Sequence, residues 1–387
     1  MNGPDVMHSS GSIDISPLAM VGAGTLTIDL AAVRSNYRGL CQAAAGAAVA
    51  GVVKADAYGL GAARIAPVLY EEGCRTFFVA QLMEALALRD GLPGDAELFV
   101  LNGVQPGLEA ECAERRITPV LNSRPQFAAW RALALRLGRH LPAALQADTG
   151  MSRLGLPPEE LEAIAADATA FEGLDFTLFM SHLACADEPD NAANAMQLAN
   201  FRALSALLPA ARRSLANSAG IMLGQDFRFD LVRPGIALYG GAPLHGRPNP
   251  MKPVATVEAP VAQIRTVPPG AGIGYGFSRH AMGRMRLATI PVGYADGWHR
   301  ASSNRGSAWF DGHALPFAGR VSMDSIILDA TAVPALAPGD KVELVGPHRT
   351  LDAVAADAGT ISYEILTSLG ARFTRVYRDE TGKGAVA

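Results

Sequence analysis

This sequence predicts an α/β protein in which a (β/α)8 TIM-type barrel, residues 25–248, is followed by a mostly β domain, residues 249–387. Three observations carry the prediction. From about residue 25 to 245, short apolar runs alternate with helical patterns, and eight such units are what a closed barrel needs. Many of the runs are apolar throughout, as strands buried on both faces are. After a proline-rich stretch at 248–253 the texture changes to alternating or β-branched runs divided by Gly and Pro turns. A doubly wound sheet is the competing arrangement of the same units.

Residues 48–54 form the first strand candidate, apolar up to Lys54. Residues 61–72 have helical periodicity and stop at Gly73, a residue suited to the left-handed position after a helix. A strand at 75–80 and a helix at 81–90 follow, then strands at 97–101 and 117–121 with a helix at 108–115 between them. Ser123 and Gln126 make a capping-box start for a helix over 125–137. Strands at 143–147, 175–181, 213–216 and 236–238 complete the eight. The second domain is expected to hold strands at 254–267, 285–292, 308–317, 326–328 and 341–345, and a helix at 351–358.

Composition narrows the function. Hydrophobic residues make up 49% of the 387 positions and charged residues 18%, which describes a packed globular chain. The formal net charge is −4, with no long basic run, so nucleic acid and anionic membrane are poor partners. Cys41, Cys74, Cys112 and Cys185 are scattered without metal-type spacing, which suits a reduced cytoplasm. The eight histidines show no metal-binding spacing either, and no metal is expected. Residues 1–24 lack a basic start and an apolar core; they read as a flexible tail rather than a signal peptide.

In a barrel of this kind chemistry sits at the C-terminal ends of the strands. The first strand ends in Lys54, with Tyr58 close behind. The fifth ends near Gln146 and Asp148, with Arg153 shortly after. The sixth ends in Ser181 and His182, the seventh in Asn217 and Ser218, and Arg233, Pro234 and Gly235 lie just before the eighth. Lys54 is the sharpest of these, because an amine at the end of an apolar strand is partly desolvated and so becomes nucleophilic. Strand position alone favours a plainer reading, a lysine whose stem lies along the surface while its head reaches water. The loops bearing Ser218 and Gly235 are small enough for backbone N–H groups to approach a phosphate. Taken alone, they are ordinary turns. The glycine-rich run 270–276 follows two prolines and opens no strong helix. It reads as a turn that presents Tyr275 rather than as a nucleotide loop.

These residues resemble the alanine racemase family in an ordered series. Val53-Lys54-Ala55-Asp56-Ala57-Tyr58-Gly59 resembles the cofactor-lysine motif. The run from Asp148 to Gly155, Ser181-His182, Ala186-Asp187-Glu188 and Asn217-Ser218 continue the series. So do the run from Arg233 to Gly240, Gly274-Tyr275-Gly276, the run from Gly293 to Gly297, the run from Gly319 to Asp324, and Thr360-Ile361-Ser362-Tyr363. Each match is weak by itself; their order from about residue 25 to 377 is specific.

The resemblance implies a homodimer that binds pyridoxal phosphate and interconverts L- and D-alanine, supplying D-alanine for peptidoglycan. Lys54 would carry the cofactor as a Schiff base and act as one acid/base, and Tyr275 from the partner subunit as the other. Arg233 would face the pyridine nitrogen, with His182 linking Arg233 to Tyr275. Tyr58, Asn217, Ser218, Gly235, Ile236 and Tyr363 would complete the cofactor site, most of them at its phosphate. Arg153 would approach the cofactor's phenolic oxygen and the substrate, and the Met323 N–H the substrate carboxylate. Asp187, Tyr294 and Arg320 would line the substrate's way in. Gln146 departs from the pattern: some members carry a carbamylated lysine there, and a glutamine cannot be carbamylated, so Arg153 needs another counter-charge, for which chloride is a candidate. Asp56 and Leu60 also depart, where asparagine and histidine are common. Two other functions compete, a decarboxylase of the same fold and a non-catalytic carrier of pyridoxal phosphate. Arg233 argues against the first, since decarboxylation benefits from a protonated ring. A β domain bearing Tyr275 argues against the second.

Overall fold

The computed structural model describes residues 23–379 and a short strand at 384–386. The expected tail lies outside the described residues up to position 22. Ala23 and Gly24 are tied into the second unit, Ala23 N–H donating to the Arg372 carbonyl at 3.1 Å and Thr374 N–H to the Gly24 carbonyl at 2.9 Å.

The chain forms two compact units that are interleaved in sequence. One comprises Ala32–Ala255 and Thr350–Leu369; the other takes the described residues before Ala32, then Thr256–Arg349, then those from Gly370 on. The proline-rich stretch at 248–253 belongs to the first unit, where Asn36 clasps Lys252 through both its amide groups at 2.9 and 2.8 Å.

The first unit is the barrel. Its eight parallel strands are Ala48–Val49 continuing as Gly51–Val52, then Thr76–Val79, Glu97–Val100, Thr118–Leu121, Leu141–Gln146, Leu174–Met180, Arg212–Ser214 and Leu231–Val232. Neighbours in sequence are neighbours in space. The ring closes where Leu231–Val232 pairs with Ala48–Val49 and where Arg233 N–H donates to the Ala216 carbonyl at 2.9 Å. Strands such as Thr76–Val79 and Thr118–Leu121 are buried at every position, which is why they carry no polar alternation. Phe78 and Phe99 stack in the interior with centroids 5.0 Å apart. The helix Arg124–Leu137 begins as expected, Ser123 Oγ accepting from Gln126 N–H at 3.5 Å. The return bond is shifted by one residue: Gln126 Oε1 takes the Asn122 N–H at 2.8 Å instead of the Ser123 N–H.

One strand differs from expectation. The eighth is Leu231–Val232, and Ile236–Tyr239 is a 3-10 turn rather than a strand. Pro234 has no N–H to carry a ladder forward, and Leu238 N–H folds back onto the Gly235 carbonyl at 2.9 Å. A short, wholly buried apolar run has no period by which to tell the two apart. Arg233 therefore follows the last strand instead of preceding it, at the end of the barrel where loops build sites.

Thr350–Leu369 supplies two helices to this unit, Leu351–Ala358 and Ser362–Ser368. Asp352 fastens them: it accepts from Ser362 Oγ at 2.5 Å, Ala242 N–H at 3.2 Å and Asn249 Nδ2 at 3.2 Å.

The second unit is mostly β. Its seven-stranded sheet runs His313–Pro316, Ser307–Phe310, Lys341–Val345, Ala255–Pro260, Thr25–Asp29, Thr374–Arg378 and Gly384–Val386. A second sheet holds Gln263–Val267, Met285–Ile290 and Ile326–Asp329, and Gly272–Ile273 pairs with Arg279–His280. The run at 308–317 is a hairpin whose turn, Asp311-Gly312, has positive φ at both residues, 43° and 80°. No helix among the described residues is long and apolar enough to cross a membrane.

Candidate active site

At the C-terminal mouth of the barrel lies a cavity of about 550 Å³. All ten residues expected at a cofactor line it: Lys54, Tyr58, Arg153, His182, Asn217, Ser218, Arg233, Gly235, Ile236 and Tyr363. They come from the ends of the first, fifth, sixth, seventh and eighth strands and from the helix Ser362–Ser368.

Lys54 follows the first strand after one residue, Val53. The backbone then turns left-handed for four non-glycine residues, with φ of 51° at Ala55, 53° at Asp56, 54° at Ala57 and 57° at Tyr58, and Gly59 continues at 81°. Such a run is unfavourable for L-residues by roughly 1–2 kcal/mol each, so surrounding bonds must hold it. Ala57 N–H donates to Val53, Gly61 N–H to the Asp56 carbonyl, both at 2.9 Å, and Ala62 N–H to Asp56 Oδ1 at 2.7 Å. Asp56 builds this turn through an oxygen that an asparagine would also offer. The turn delivers Lys54 and Tyr58 to the same cavity, although they are four residues apart. Tyr58 is buried between Tyr239 and Tyr363, with centroids 4.8 and 5.8 Å away. A Cβ on Gly59 would stand 2.8 Å from the Leu366 carbonyl oxygen. Gly59→Ala is expected to lose about 2 kcal/mol or more of stability in a denaturant titration; an unchanged midpoint would show that the turn has room to relax.

The cavity is cationic. Burial lowers the Lys54 pKa, Arg153 and Arg233 add to the effect, and Glu84 opposes it. His182 is pushed down to about 3, by burial first and then by Arg233, Arg153 and Lys54, so its imidazole is neutral at ordinary pH. Arg233 is only 4% exposed. It donates to Ser214 Oγ at 2.5 Å and to the Ser181 carbonyl at 2.6 Å, and lies over the Phe78 ring at 6.0 Å. Burial lowers its pKa too, yet a guanidinium stays charged near neutrality. Among the described residues no carboxylate pairs with Arg233. Only Glu364 brings a carboxylate to the cavity wall. A site with this balance calls for an anionic occupant.

The loops after the seventh and eighth strands are stitched together by Ser218, whose Oγ accepts from Gly235 N–H at 2.9 Å and Ala237 N–H at 3.3 Å. With both acceptor sites used, its own proton points elsewhere. Asn217 Oδ1 caps the Gly220 N–H at 2.8 Å. Gly235 has no room for a side chain, since a Cβ would strike Tyr58 Oη. Burial, and secondarily Asp187, raises Tyr363 to about 12, so its phenol remains a proton donor. Arg153 stands exposed on a loop fixed from beneath. Asp148 Oδ1 accepts three backbone N–H groups, from Gly150, Met151 and Ser152, at 2.9 to 3.1 Å, and buried Gln146 donates to the Leu154 carbonyl at 3.1 Å.

Sequence reasoning missed Leu101, Glu364 and Thr367 on the cavity wall. Leu101 directly follows the third strand, so strand position could have found it. Glu364 and Thr367 lie one and four residues beyond Tyr363 on the helix Ser362–Ser368, just past the motif that ends at Tyr363.

Tyr275, Tyr294, Arg320 and Met323 belong to the other unit. Tyr275 sits at the tip of the Gly272–Ile273/Arg279–His280 hairpin, 71% exposed, between Gly274 and Gly276 at φ of 67° and 66°. A Cβ on Gly276 would come within 3.0 Å of Arg320 Nη1. The Tyr294 turn and the Met323 loop are paired through Tyr294 N–H to Ser322 and Ala295 N–H to Met323, both at 3.0 Å. Buried Asp296 holds that turn, accepting from Gly293 N–H at 2.8 Å and from Arg372 at 2.6 and 2.8 Å.

Comparison with known proteins agrees with this geometry. The model of the alanine racemase N-terminal domain matches residues 28–243, and that of the alanine racemase C-terminal domain residues 254–377. A catabolic alanine racemase of Agrobacterium fabrum is 56% identical over 357 residues, 92% of each chain. An alanine racemase of Brucella canis is 53% identical over 380 residues, 94% of this chain and 96% of its own. The crystal structure of alanine racemase from Bartonella henselae with covalently bound pyridoxal phosphate superposes with a TM-score of 0.89 at 48% identity, covering 92% of this chain and 99% of that one. The chain belongs to the alanine racemase family.

Proposed function

We propose that this protein is a cytoplasmic, homodimeric alanine racemase that uses pyridoxal phosphate and draws its two proton-transfer groups from different subunits. The observation that carries the reading is Lys54, a half-buried amine with a lowered pKa, on the wall of a cationic cavity whose other side is lined by phenol and hydroxyl donors. That donor set fits an anionic carbonyl cofactor. Lys54 would supply the amine for the covalent link; Tyr58, Ser218, Tyr363 and the Gly235–Ile236 backbone would hold the phosphate, with Asn217 bracing the loop. Arg233, charged and without a carboxylate, would serve the ring nitrogen and keep it unprotonated, with neutral His182 linking Arg233 to the Tyr275 hydroxyl brought by the partner subunit. Arg153 would serve the cofactor's phenolic oxygen and the substrate, and Met323 N–H the substrate carboxylate. Asp187, Tyr294 and Arg320 are assigned to the substrate's way in.

When bound, pyridoxal phosphate withdraws electron density from the substrate and acidifies its α-proton. Inversion then needs a proton removed from one face and returned to the other. Lys54 Nζ serves one face and Tyr275 Oη the other. The test is incubation with pyridoxal phosphate and L-alanine in D₂O, followed by chiral chromatography. Deuterated D-alanine should form until the enantiomers are equal; an α-proton that never exchanges removes the reading. In the cell the product is assigned to peptidoglycan. Relatives from Agrobacterium fabrum and Mesorhizobium japonicum are called catabolic, which favours alanine breakdown as the second reading. A gene deletion that needs no added D-alanine for growth selects that second reading.

A further inference from the structure

The helix Leu82–Arg89, which follows the second barrel strand, opens with a capping box in which Glu84 reaches back to the Gln81 N–H at 3.0 Å. Glu84 Oε2 also takes the Ala80 N–H at 2.7 Å. An ordinary cap would leave the second oxygen to water. Here Glu84 Oε1 accepts from the Ala55 N–H at 2.6 Å, 29 residues away. Ala55 is the first residue of the left-handed run that follows Lys54. The bonds within the run begin only at Ala57, whose N–H reaches back to Val53. The N–H of the Lys54–Ala55 peptide is therefore taken by Glu84, a residue of the next βα unit, and not by an acceptor of the turn. A rotation of that peptide would turn the Lys54 side chain away from its place on the cavity wall.

We propose that Glu84 is a positioning residue for the reaction: its carboxylate ties the peptide after Lys54 to the next βα unit and so fixes where the Lys54 amine stands. The proposal rests on the reading of Lys54 as the cofactor-bearing lysine. Charge adds to the geometry. Lys54 faces Arg153 from the loop after the fifth strand, His182 from the sixth and Arg233 from the eighth, with Tyr58, Tyr363 and Glu364 also on the cavity wall. Glu84 is the acidic group that offsets these cations at Lys54. Removing its charge favours the unprotonated nitrogen, which moves any titration of that nitrogen to lower pH.

The test compares holoenzymes carrying Glu84→Ala, Glu84→Gln and Gln81→Ala. Gln81→Ala weakens the same helix cap and leaves the bond to Ala55 in place. Three quantities are read: kcat and KM for alanine, the pH midpoint of the cofactor's visible absorbance, and amide exchange over residues 54–61. For Glu84→Ala, kcat should fall by roughly 10- to 100-fold with KM within about threefold. The midpoint should drop by about 0.5 or more, and exchange should quicken. Glu84→Gln retains an acceptor, so it should recover much of the exchange protection but not the midpoint. Gln81→Ala should match the wild type in kcat and midpoint. The proposal is overturned if Glu84→Ala keeps all three wild-type values, or if Gln81→Ala reproduces its losses. If Glu84→Ala does not fold, Glu84→Gln decides alone, and an unchanged midpoint overturns the role. Borohydride reduction of the wild-type holoenzyme and peptide mapping keep a separate failure visible. Label on Lys252, Lys341 or Lys383, the other lysines of the chain, removes the reading of Lys54 itself and this inference with it.

Discussion

Lys54→Ala should leave a folded protein with no measurable racemase activity and no covalently held cofactor. The loss expected is at least about 10⁴-fold in kcat/KM, because the proposed mechanism loses its nucleophile and one of its two proton carriers together. Folding should survive, since Lys54 is only half-buried and faces the cavity rather than the packed interior. Burial and the charges of Arg153 and Arg233 already hold the amine toward its neutral form. Removing a lysine so placed relieves a desolvated charge, so thermal stability should be equal or slightly higher. A small primary amine added in solution should restore a little turnover by taking the proton-carrying part. Turnover of the unaided variant within tenfold of wild type would end the assignment.

Tyr275→Phe should divide the reaction in two. The ring and its hairpin stay; the hydroxyl goes. Cofactor binding should be unchanged, because no cofactor contact is assigned to this side chain. Racemisation should fall by about 10²–10⁴-fold, the usual contribution of a positioned acid/base. Lys54 still serves its own face, so one enantiomer of alanine should keep exchanging its α-proton with D₂O without inverting, and the other should not. Exchange lost equally from both would mean that Tyr275 organises the site as a whole; undiminished racemisation would refute the two-base scheme. The support for this role is local: a phenol 71% exposed at a hairpin tip, flanked by glycines whose left-handed φ leaves it unencumbered.

Much of this was legible in the sequence because the relevant signals are short-range. Apolar runs, helix caps and strand-end residues need only neighbours along the chain, and the residues expected around a cofactor do meet at one cavity. The features that escaped depend on distant or hidden partners. The pairing of Thr25–Asp29 with Thr374–Arg378 joins segments at opposite ends of the chain, and nothing in either segment names the other. The eighth strand was misplaced by a few residues because Leu231–Val232 is too short to show a period and Ile236–Tyr239 is equally apolar. The left-handed turn after Lys54 was invisible for another reason. Ala55, Asp56, Ala57 and Tyr58 have no intrinsic preference for positive φ, and only surrounding bonds impose it. Glu84 escaped likewise: its cap is local, but its bond to Ala55 is tertiary.

The interleaving of the two units bears on how the chain is made. A ribosome delivers the barrel strands early, but Tyr363 and its helix only after the whole of Thr256–Arg349 has emerged. Thr25–Asp29 waits even longer for its partner strand, which ends at Arg378. Neither unit is complete when the other's main segment has been made, in contrast to proteins whose domains mature one after another. The barrel mouth stays incomplete until Thr350–Leu369 has been made. For the same reason a gene fragment stopped after Ala255 would encode the eight barrel strands and Lys54 but lack Tyr363, proposed here to hold the phosphate, and it should be purified as a weak binder of the cofactor at best.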